Sequence, residues 1–158
     1  MRLLLVLALA LVAAACDSAA PADLTPYAGV YVGTLTSTER GATSTEGATV
    51  TVAVDDAART ISFSIDSGAV LPLSGTYDDG GTITVDYDDE SGGTALAIDF
   101  VALPDGRISG SYSITYADGL GLPDEDVTGT VSGSLSTSVV RIVFDGSNGV
   151  RSDIRATR

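Results

Sequence analysis

Four carboxylates crowd one short stretch of the chain, "DYDDESGG", which begins at Asp86. They are Asp86, Asp88, Asp89 and Glu90. Calcium takes about six to eight oxygen ligands, and closely spaced carboxylates supply them. The stretch is therefore a candidate calcium site, with a solvated acidic turn as the preferred interpretation, because alternation along a strand would point Asp86 and Asp88 outward. The acidic stretch "LPDED", from Leu122, allows the same two interpretations.

Tyrosines form the second candidate site. Five of them fall on the apolar side of alternating segments: Tyr31, Tyr77, Tyr87, Tyr112 and Tyr116. Tyrosine can fill a core while its hydroxyl reaches water, or it can offer a hydrogen bond to a ligand in an apolar cavity. Core filling is the preferred interpretation. The alternative is a ligand site that uses Tyr87, Tyr112 and Tyr116, with Tyr112 in mid-strand as the decisive residue.

Most catalytic chemistries lack their residues in this chain. It has no His and no Lys, and it has one Cys. Ser-His-Asp and Cys-His catalysis, catalytic zinc sites and Schiff-base chemistry are therefore excluded. A pair of carboxylates could still hydrolyse glycosides, but most acids lie in turns and Asp99 sits at an outward strand position. We expect no enzyme and no cofactor other than the candidate calcium ion.

The single cysteine, Cys16, lies where an apolar run ends. Arg2 precedes an unbroken stretch of Leu, Val and Ala, which is followed directly by the cysteine. A basic start, a short apolar core and small residues at its end are typical of a secretory signal. The residues before Cys16 resemble the lipobox of bacterial lipoproteins. That resemblance implies a signal peptide over residues 1–15, and acylation of Cys16 that anchors the chain to the bilayer of the cell envelope.

The composition excludes one class of partner. The chain carries 21 acidic and 8 basic residues, for a net charge of −13. Nucleic acids bind basic patches, so we expect no nucleic-acid partner. Acid-rich, Lys-free sequences resemble those of salt-accumulating halophiles, and a GC-rich genome would enrich the same residue types.

Beyond a small, polar segment, the chain reads as alternating strands. Residues 16–26 are predicted to be the lipidated cysteine and a flexible tether, and residues 27–158 one domain. Segments such as "TISFSID" and "ISGSYSITY" alternate apolar and polar residues, and Asp/Gly-rich turns separate them. Short turns join antiparallel neighbours. We therefore predict an all-β fold, a single meander closed as an up-and-down barrel of about 8–10 strands, with a β-sandwich as the alternative.

Glycines at apolar strand positions support closure. They recur before Thr or Ser, at Gly33, Gly75, Gly110, Gly129 and Gly133. Inward glycines let neighbouring backbones approach closely, and we interpret these five as positions where the barrel bends. The general pattern resembles the lipocalin-like barrels in architecture only.

The predicted meander places its loops at two ends. One end receives the longer loops, among them 39–47, 67–72, 89–93, 117–126 and 145–149, and is expected to be an open mouth. The tether enters at the opposite, narrow base, so the mouth would point away from the membrane. The expected function is a non-catalytic structural or interaction module of the envelope, and the alternative is binding of a small apolar ligand inside the barrel.

Overall fold

The structure, a computed structural model, describes residues 20–91, 94–116 and 126–158. Within them a short 3-10 helix, Thr25–Tyr27, precedes ten β-strands. The strands are β1 (Gly29–Glu39), β2 (Ala42–Asp55), β3 (Thr60–Asp66), β4 (Val70–Tyr77), β5 (Ile83–Ser91), β6 (Thr94–Ala102), β7 (Arg107–Tyr116), β8 (Val127–Leu135), β9 (Val139–Gly146) and β10 (Arg151–Thr157). Each strand pairs antiparallel with its sequence neighbours, and β1 also pairs with β10, so the sheet closes. The predicted up-and-down barrel is confirmed, with ten strands, and the β-sandwich alternative is wrong.

Burial follows the alternation of the sequence. On β3, Ile61, Phe63 and Ile65 are buried, whereas the intervening serines are more accessible. β-branched and aromatic residues fit such a pleated, half-buried surface. Across residues 20–91, 94–116 and 126–158, every residue buried in the interior is apolar or a tyrosine. The inner face of the barrel is therefore hydrophobic.

The inward glycines are contact points between neighbouring strands, as predicted. A Cβ atom on Gly33 would lie 1.9 Å from the carbonyl oxygen of Arg155 on β10. One on Gly110 would lie 2.0 Å from the carbonyl oxygen of Asp99 on β6. Such distances are far below van der Waals contact, so only glycine allows the strands to coil this tightly. The same close approach occurs at Gly75, Gly129 and Gly133.

The base of the barrel is closed by the segment that leads into β1. Leu24 is buried in the core. The Ala22 amide donates a hydrogen bond to the Asp79 carbonyl at 2.9 Å, and Arg59 donates one to the Ala22 carbonyl at 2.8 Å. Residues 20–26 therefore differ from the flexible tether predicted for them: one leucine and a few backbone hydrogen bonds hold them to the base.

Two tyrosines seal the same end. The Tyr31 side chain is fully buried, and its hydroxyl donates to the Tyr27 carbonyl oxygen at 2.8 Å. The Tyr77 hydroxyl donates to an Asp56 carboxylate oxygen at 2.7 Å, and the Arg59 guanidinium stacks 4.8 Å from its ring centre. Burial raises the pKa of both phenols. The base is thus covered by Leu24 and by two tyrosines whose hydroxyl groups have protein partners, and a smaller cleft of about 250 Å³ lies beside Leu24.

A hairpin extends from the opposite end, the mouth. Its turn consists of Arg40 and Gly41, both with positive φ, as a two-residue type I′ turn requires. Most of the loop predicted for 39–47 is therefore strand. Residues 42–47 of β2 pair with β1 alone, because pairing with β3 begins only at Thr49. This hairpin projects beyond the barrel wall with one strand edge exposed.

One seam of the barrel pairs over only a short length. β4 and β5 are joined by three residue pairs next to their connecting turn, from Tyr77–Ile83 to Gly75–Val85. Toward the mouth, residues 70–74 of β4 and residues 86–91 of β5 are not paired with each other. Pro72 lies in this part of β4, and proline lacks the N–H that a central strand needs. The barrel is therefore closed at the base and splayed at the mouth.

Candidate ligand pocket

A pocket of about 360 Å³ lies inside the mouth half of the barrel. It extends from the top of the packed core to the mouth loops. Its lining is formed by Leu71, Leu96, Ile98, Tyr112, Ile114, Tyr116, Val127, Phe144, Asn148, Val150 and Ser152. Small-molecule sites typically have volumes of about 300–1,000 Å³, apolar walls and a few polar groups. The size and composition of this pocket match that description.

Strand register brings the lining residues together. On β6, Leu96 and Ile98 lie opposite Ile114 and Tyr112 of β7. Alternation directs all four toward the interior, because residues two apart in a strand share one face. β4 contributes Leu71 across the splayed seam. The pocket is thus built mainly by rigid strands rather than by loops.

Tyr112 forms one wall of the pocket. Its ring meets Phe144 edge to face, with centroids 5.5 Å apart and planes at 84°. It lies so close to β8 that a Cβ atom on Gly129 would come within 2.3 Å of the ring. Glycine at that position makes room for the phenol. Burial raises the pKa of Tyr112, and the nearby Asp145 carboxylate raises it further.

The Tyr112 hydroxyl is available to a ligand. It points toward β9, where a Cβ atom on Gly146 would lie 2.7 Å away from it. In the part of the chain that the structure describes, none of the protein hydrogen bonds involves this hydroxyl, in contrast to the two tyrosines at the base. A phenol in an apolar cavity can both donate and accept a hydrogen bond.

Further polar groups lie at the top of the pocket. The Val150 amide donates to Asn148 Oδ1 at 3.0 Å, which fixes the Asn148 side chain at the β9–β10 turn. The Ser152 and Ser37 hydroxyl oxygens lie 3.4 Å apart. The deep part of the pocket is therefore apolar and aromatic, whereas its entrance carries an amide and hydroxyl groups.

The structure brings two of the three predicted ligand-binding tyrosines to the pocket. Tyr112 and Tyr116 line it. Tyr87, on β5, is partly buried against the core and is not among the lining residues. Sequence reasoning missed Phe144, although the alternation of "VVRIVFDG" places it on the same face as Val140 and Ile142.

The acidic stretch lies outside the pocket. Asp86 and Asp88 are exposed on the outer face of β5, and Asp86 lies directly opposite Asp99 of β6. Desolvation, and then repulsion by Asp86, raise the pKa of Asp99. Asp89 and Glu90 continue along β5 toward the mouth. Among the described residues, no group of three or more His, Cys, Asp or Glu side chains is arranged to hold a metal ion.

Two other predicted features lie wholly or mostly outside the described residues. Cys16 is one, and the acidic stretch from Leu122 is the other, with only its last residue, Asp126, described. The described part of the chain contains no helix that is both long and apolar enough to cross a membrane.

Comparison with known proteins finds no relative. No protein-family model matches the chain, and neither a curated protein nor a solved structure matches it. The geometry of the barrel is therefore the basis for inferring its function.

Proposed function

We propose that this chain is an envelope lipoprotein whose barrel binds a small, mostly apolar molecule in the pocket at its mouth, without catalysing a reaction. The pocket of about 360 Å³ is the observation that carries the proposal. A purely structural barrel gains stability from every apolar side chain that fills its interior. Here the strands keep an apolar space open at one end instead.

The two ends of the barrel differ in a way that supports a single entrance, at the mouth. At the base, Leu24, Tyr31 and Tyr77 are buried and close the interior. At the mouth, the unpaired part of the β4–β5 seam adjoins Leu71, which lines the pocket. A ligand would enter from the mouth or beside this seam and stop against the packed core.

The proposed lipid anchor would lie near the base. Ala22 is held to the base by its hydrogen bonds with Asp79 and Arg59. Cys16 precedes it by six residues, a stretch that spans at most about 20 Å when extended. Acyl chains on Cys16 would therefore hold the base close to the bilayer, and the mouth would face the aqueous side.

Binding of a neutral fluorescent probe tests the pocket. The soluble form for this test is residues 16–158 with Cys16→Ser, which retains every described residue. N-phenyl-1-naphthylamine fluoresces strongly only in apolar surroundings, and we expect saturable enhancement with about one site per chain. Ile114→Trp should fill the pocket and abolish the enhancement. Val30→Trp is the matched control, because Val30 lies on the outer wall with 54% of its surface exposed.

The outcome distinguishes binding in the pocket from nonspecific adsorption of the probe to the protein surface. Loss of probe binding in Ile114→Trp alone, with both variants melting near the parent temperature, supports the proposal. Equal binding by a folded Ile114→Trp variant, or no binding by the parent, contradicts it. Native mass spectrometry of protein purified gently from its host would then give the mass of the natural ligand.

Lipid attachment has its own test. Metabolic labelling with a radioactive fatty acid should mark the full chain and should not mark its Cys16→Ser variant. Equal labelling of both would remove the anchor from the proposal and leave the pocket unaffected.

An interaction module of the envelope is the second candidate, favoured by the projecting hairpin. Residues 42–47 of β2 expose a strand edge without Lys, Pro or a bulge to protect it, and such edges pair readily with other strands. The Thr45 N–H faces this open edge, because Thr45 and Thr36 form a non-hydrogen-bonded pair of the two-residue hairpin. Thr45→Pro should abolish capture of a partner by this edge and leave probe binding unchanged. Unchanged capture of an envelope partner by this variant would exclude the edge of β2 as the binding surface.

A further inference from the structure

We propose that the mouth pocket selects amphiphiles with a positively charged head group, an amine or a quaternary ammonium, and rejects carboxylates such as fatty acids. This inference rests on the proposed function and adds the chemical class of the ligand. Three features carry it: the positions of the described arginines, the charges at the mouth, and the aromatic walls.

No basic side chain reaches the interior in the part of the chain that the structure describes. Its basic residues are all arginines, since the sequence has no lysine. Three lie at the base (Arg59, Arg107, Arg158), three on the outer wall of β9 and β10 (Arg141, Arg151, Arg155), and Arg40 lies at the hairpin tip. A carboxylate drawn into the apolar pocket would find no cation to offset its loss of hydration, which is costly.

The mouth itself carries an excess of negative charge. Its two arginines already form ion pairs, Arg40 with Glu39 and Arg151 with Asp145. Other acids at this end are exposed and take part in none of the described ion pairs: Glu46, Asp66, Glu90 and Asp126. A cleft with low-dielectric walls concentrates the field of such charges and raises the local concentration of cations.

The aromatic walls favour the same sign of charge. Tyr112 and Phe144 meet edge to face in the pocket, and Tyr116 lines it as well. Ring faces attract ammonium groups within about 6 Å, most strongly where water is excluded. Asp145, which is ion-paired with Arg151, lies near Tyr112 and adds to the effect of burial in raising the pKa of that phenol. A cation entering the mouth would thus meet favourable potential from the rim to the rings.

A series of probes that differ only in head group tests the selectivity. Decyltrimethylammonium, decanol and decanoate, each below its micelle concentration, compete with N-phenyl-1-naphthylamine on the soluble chain described above. At low salt we expect decyltrimethylammonium to bind about tenfold more tightly than decanoate, with decanol between them. In 0.5 M salt the preference should fall to about twofold, because added ions screen the exposed acids.

Variants with equal net charge separate local from global effects. Asp66→Asn with Glu90→Gln removes two negative charges from the rim, and Asp55→Asn with Asp105→Asn removes two at the base. The rim pair should reduce the preference for the cation several-fold with decanol binding unchanged, whereas the base pair should leave the preference nearly intact. Ile114→Trp should abolish binding of all three probes.

Each result decides between the two proposals. If decanol binds, and decanoate binds as tightly as decyltrimethylammonium or more tightly, the charge selectivity is overturned and the proposed pocket is unaffected. Equal effects of the rim and base pairs also overturn it, since only net charge would then matter. Failure of decanol, the cation and the neutral fluorophore alike means that the proposed function itself is wrong.

Discussion

The two halves of this barrel are built from the same alternating strands, yet one is capped by the segment before β1 and the other is open. At the base, the hydroxyls of Tyr31 and Tyr77 are bound by protein oxygens, and the chain before β1 covers the end. At the mouth, Tyr112 occupies an equivalent inward position and lines a pocket, and its hydroxyl takes part in none of the described hydrogen bonds. Alternation therefore determines which face is apolar, whereas the segments that close an end determine whether that face becomes core or cavity.

A substitution at one of the tightest backbone contacts should have the largest effect on this comparison. Gly110→Ala would place a Cβ atom 2.0 Å from the Asp99 carbonyl oxygen, and backbone cannot move away as a flexible side chain can. We expect a loss of more than about 4 kcal/mol in the free energy of unfolding, or no folding. Gly47→Ala, on the projecting hairpin, meets no atom within 4 Å and should change stability by less than about 0.5 kcal/mol. Thermal melts followed by circular dichroism compare them, and similar melting temperatures would contradict the tight coiling.

Removal of one phenylalanine from each half compares packing directly. Phe63 is 1% exposed and packs against Phe100 below the pocket, so Phe63→Ala should cost about 3–5 kcal/mol. Phe144 borders the open space and is only partly buried, so Phe144→Ala should cost about 1–2 kcal/mol. Urea denaturation measures both losses. Equal losses would show that the mouth is packed as tightly as the base.

Much of the architecture could be predicted from the sequence, because period-two alternation and turn residues are local signals. The barrel, the bending glycines and the assignment of loops to the two ends all depend on such signals. Residues 20–26 could not be placed, since burial of Leu24 requires a surface that exists only after the barrel has closed. The 39–47 segment reads as a loop because its Thr, Ser and Gly residues lack an apolar face.

The candidate site was accessible to sequence reasoning only in part. Alternation shows that Tyr87, Tyr112 and Tyr116 point inward, but it does not show at which height the packed core ends. That height depends on the base cap and on the splayed β4–β5 seam, which are properties of the whole barrel. Tyr87 and Tyr112 both point inward by alternation, yet only Tyr112 lines the pocket.

Loss of one hydroxyl from each half should have a smaller effect. Tyr77→Phe removes the 2.7 Å hydrogen bond to Asp56 and should cost about 1 kcal/mol. Tyr112→Phe removes a hydroxyl without a described protein partner and should leave the melting temperature almost unchanged. The two melts are measured at neutral pH without ligand. A clear loss in Tyr112→Phe would show that its hydroxyl is already bound, and would weaken the argument that it serves a ligand.

The smallest expected effect is a gain in stability on the outer wall, where the β4–β5 seam begins to open. Asp86 and Asp99 lie directly opposite each other there, and like charges at such positions destabilise a sheet. Desolvation and Asp86 raise the pKa of Asp99 above its ordinary value, so the folded chain binds the proton more tightly than the unfolded chain. The barrel is therefore more stable at low pH, and this added stability is lost as the pH rises through the raised pKa of Asp99. Asp99→Asn should remove this loss and stabilise the barrel at pH 7 by about 0.2–1 kcal/mol.

The pH dependence identifies the cause of the gain in Asp99→Asn. The gain should shrink toward zero near pH 3, because the carboxylates are protonated there. Asp105→Asn is a control of opposite sign. The Arg107 amide and guanidinium hydrogen bonds lower the pKa of Asp105, so its contribution is present above the ordinary carboxyl pKa and is lost as the pH falls through the lowered value. Asp105→Asn should therefore destabilise slightly at pH 7. Melting temperatures of both variants from pH 3 to 7 measure the two trends, and a gain in Asp99→Asn that persists at pH 3 would mean that packing, rather than charge repulsion, limits this part of the mouth wall.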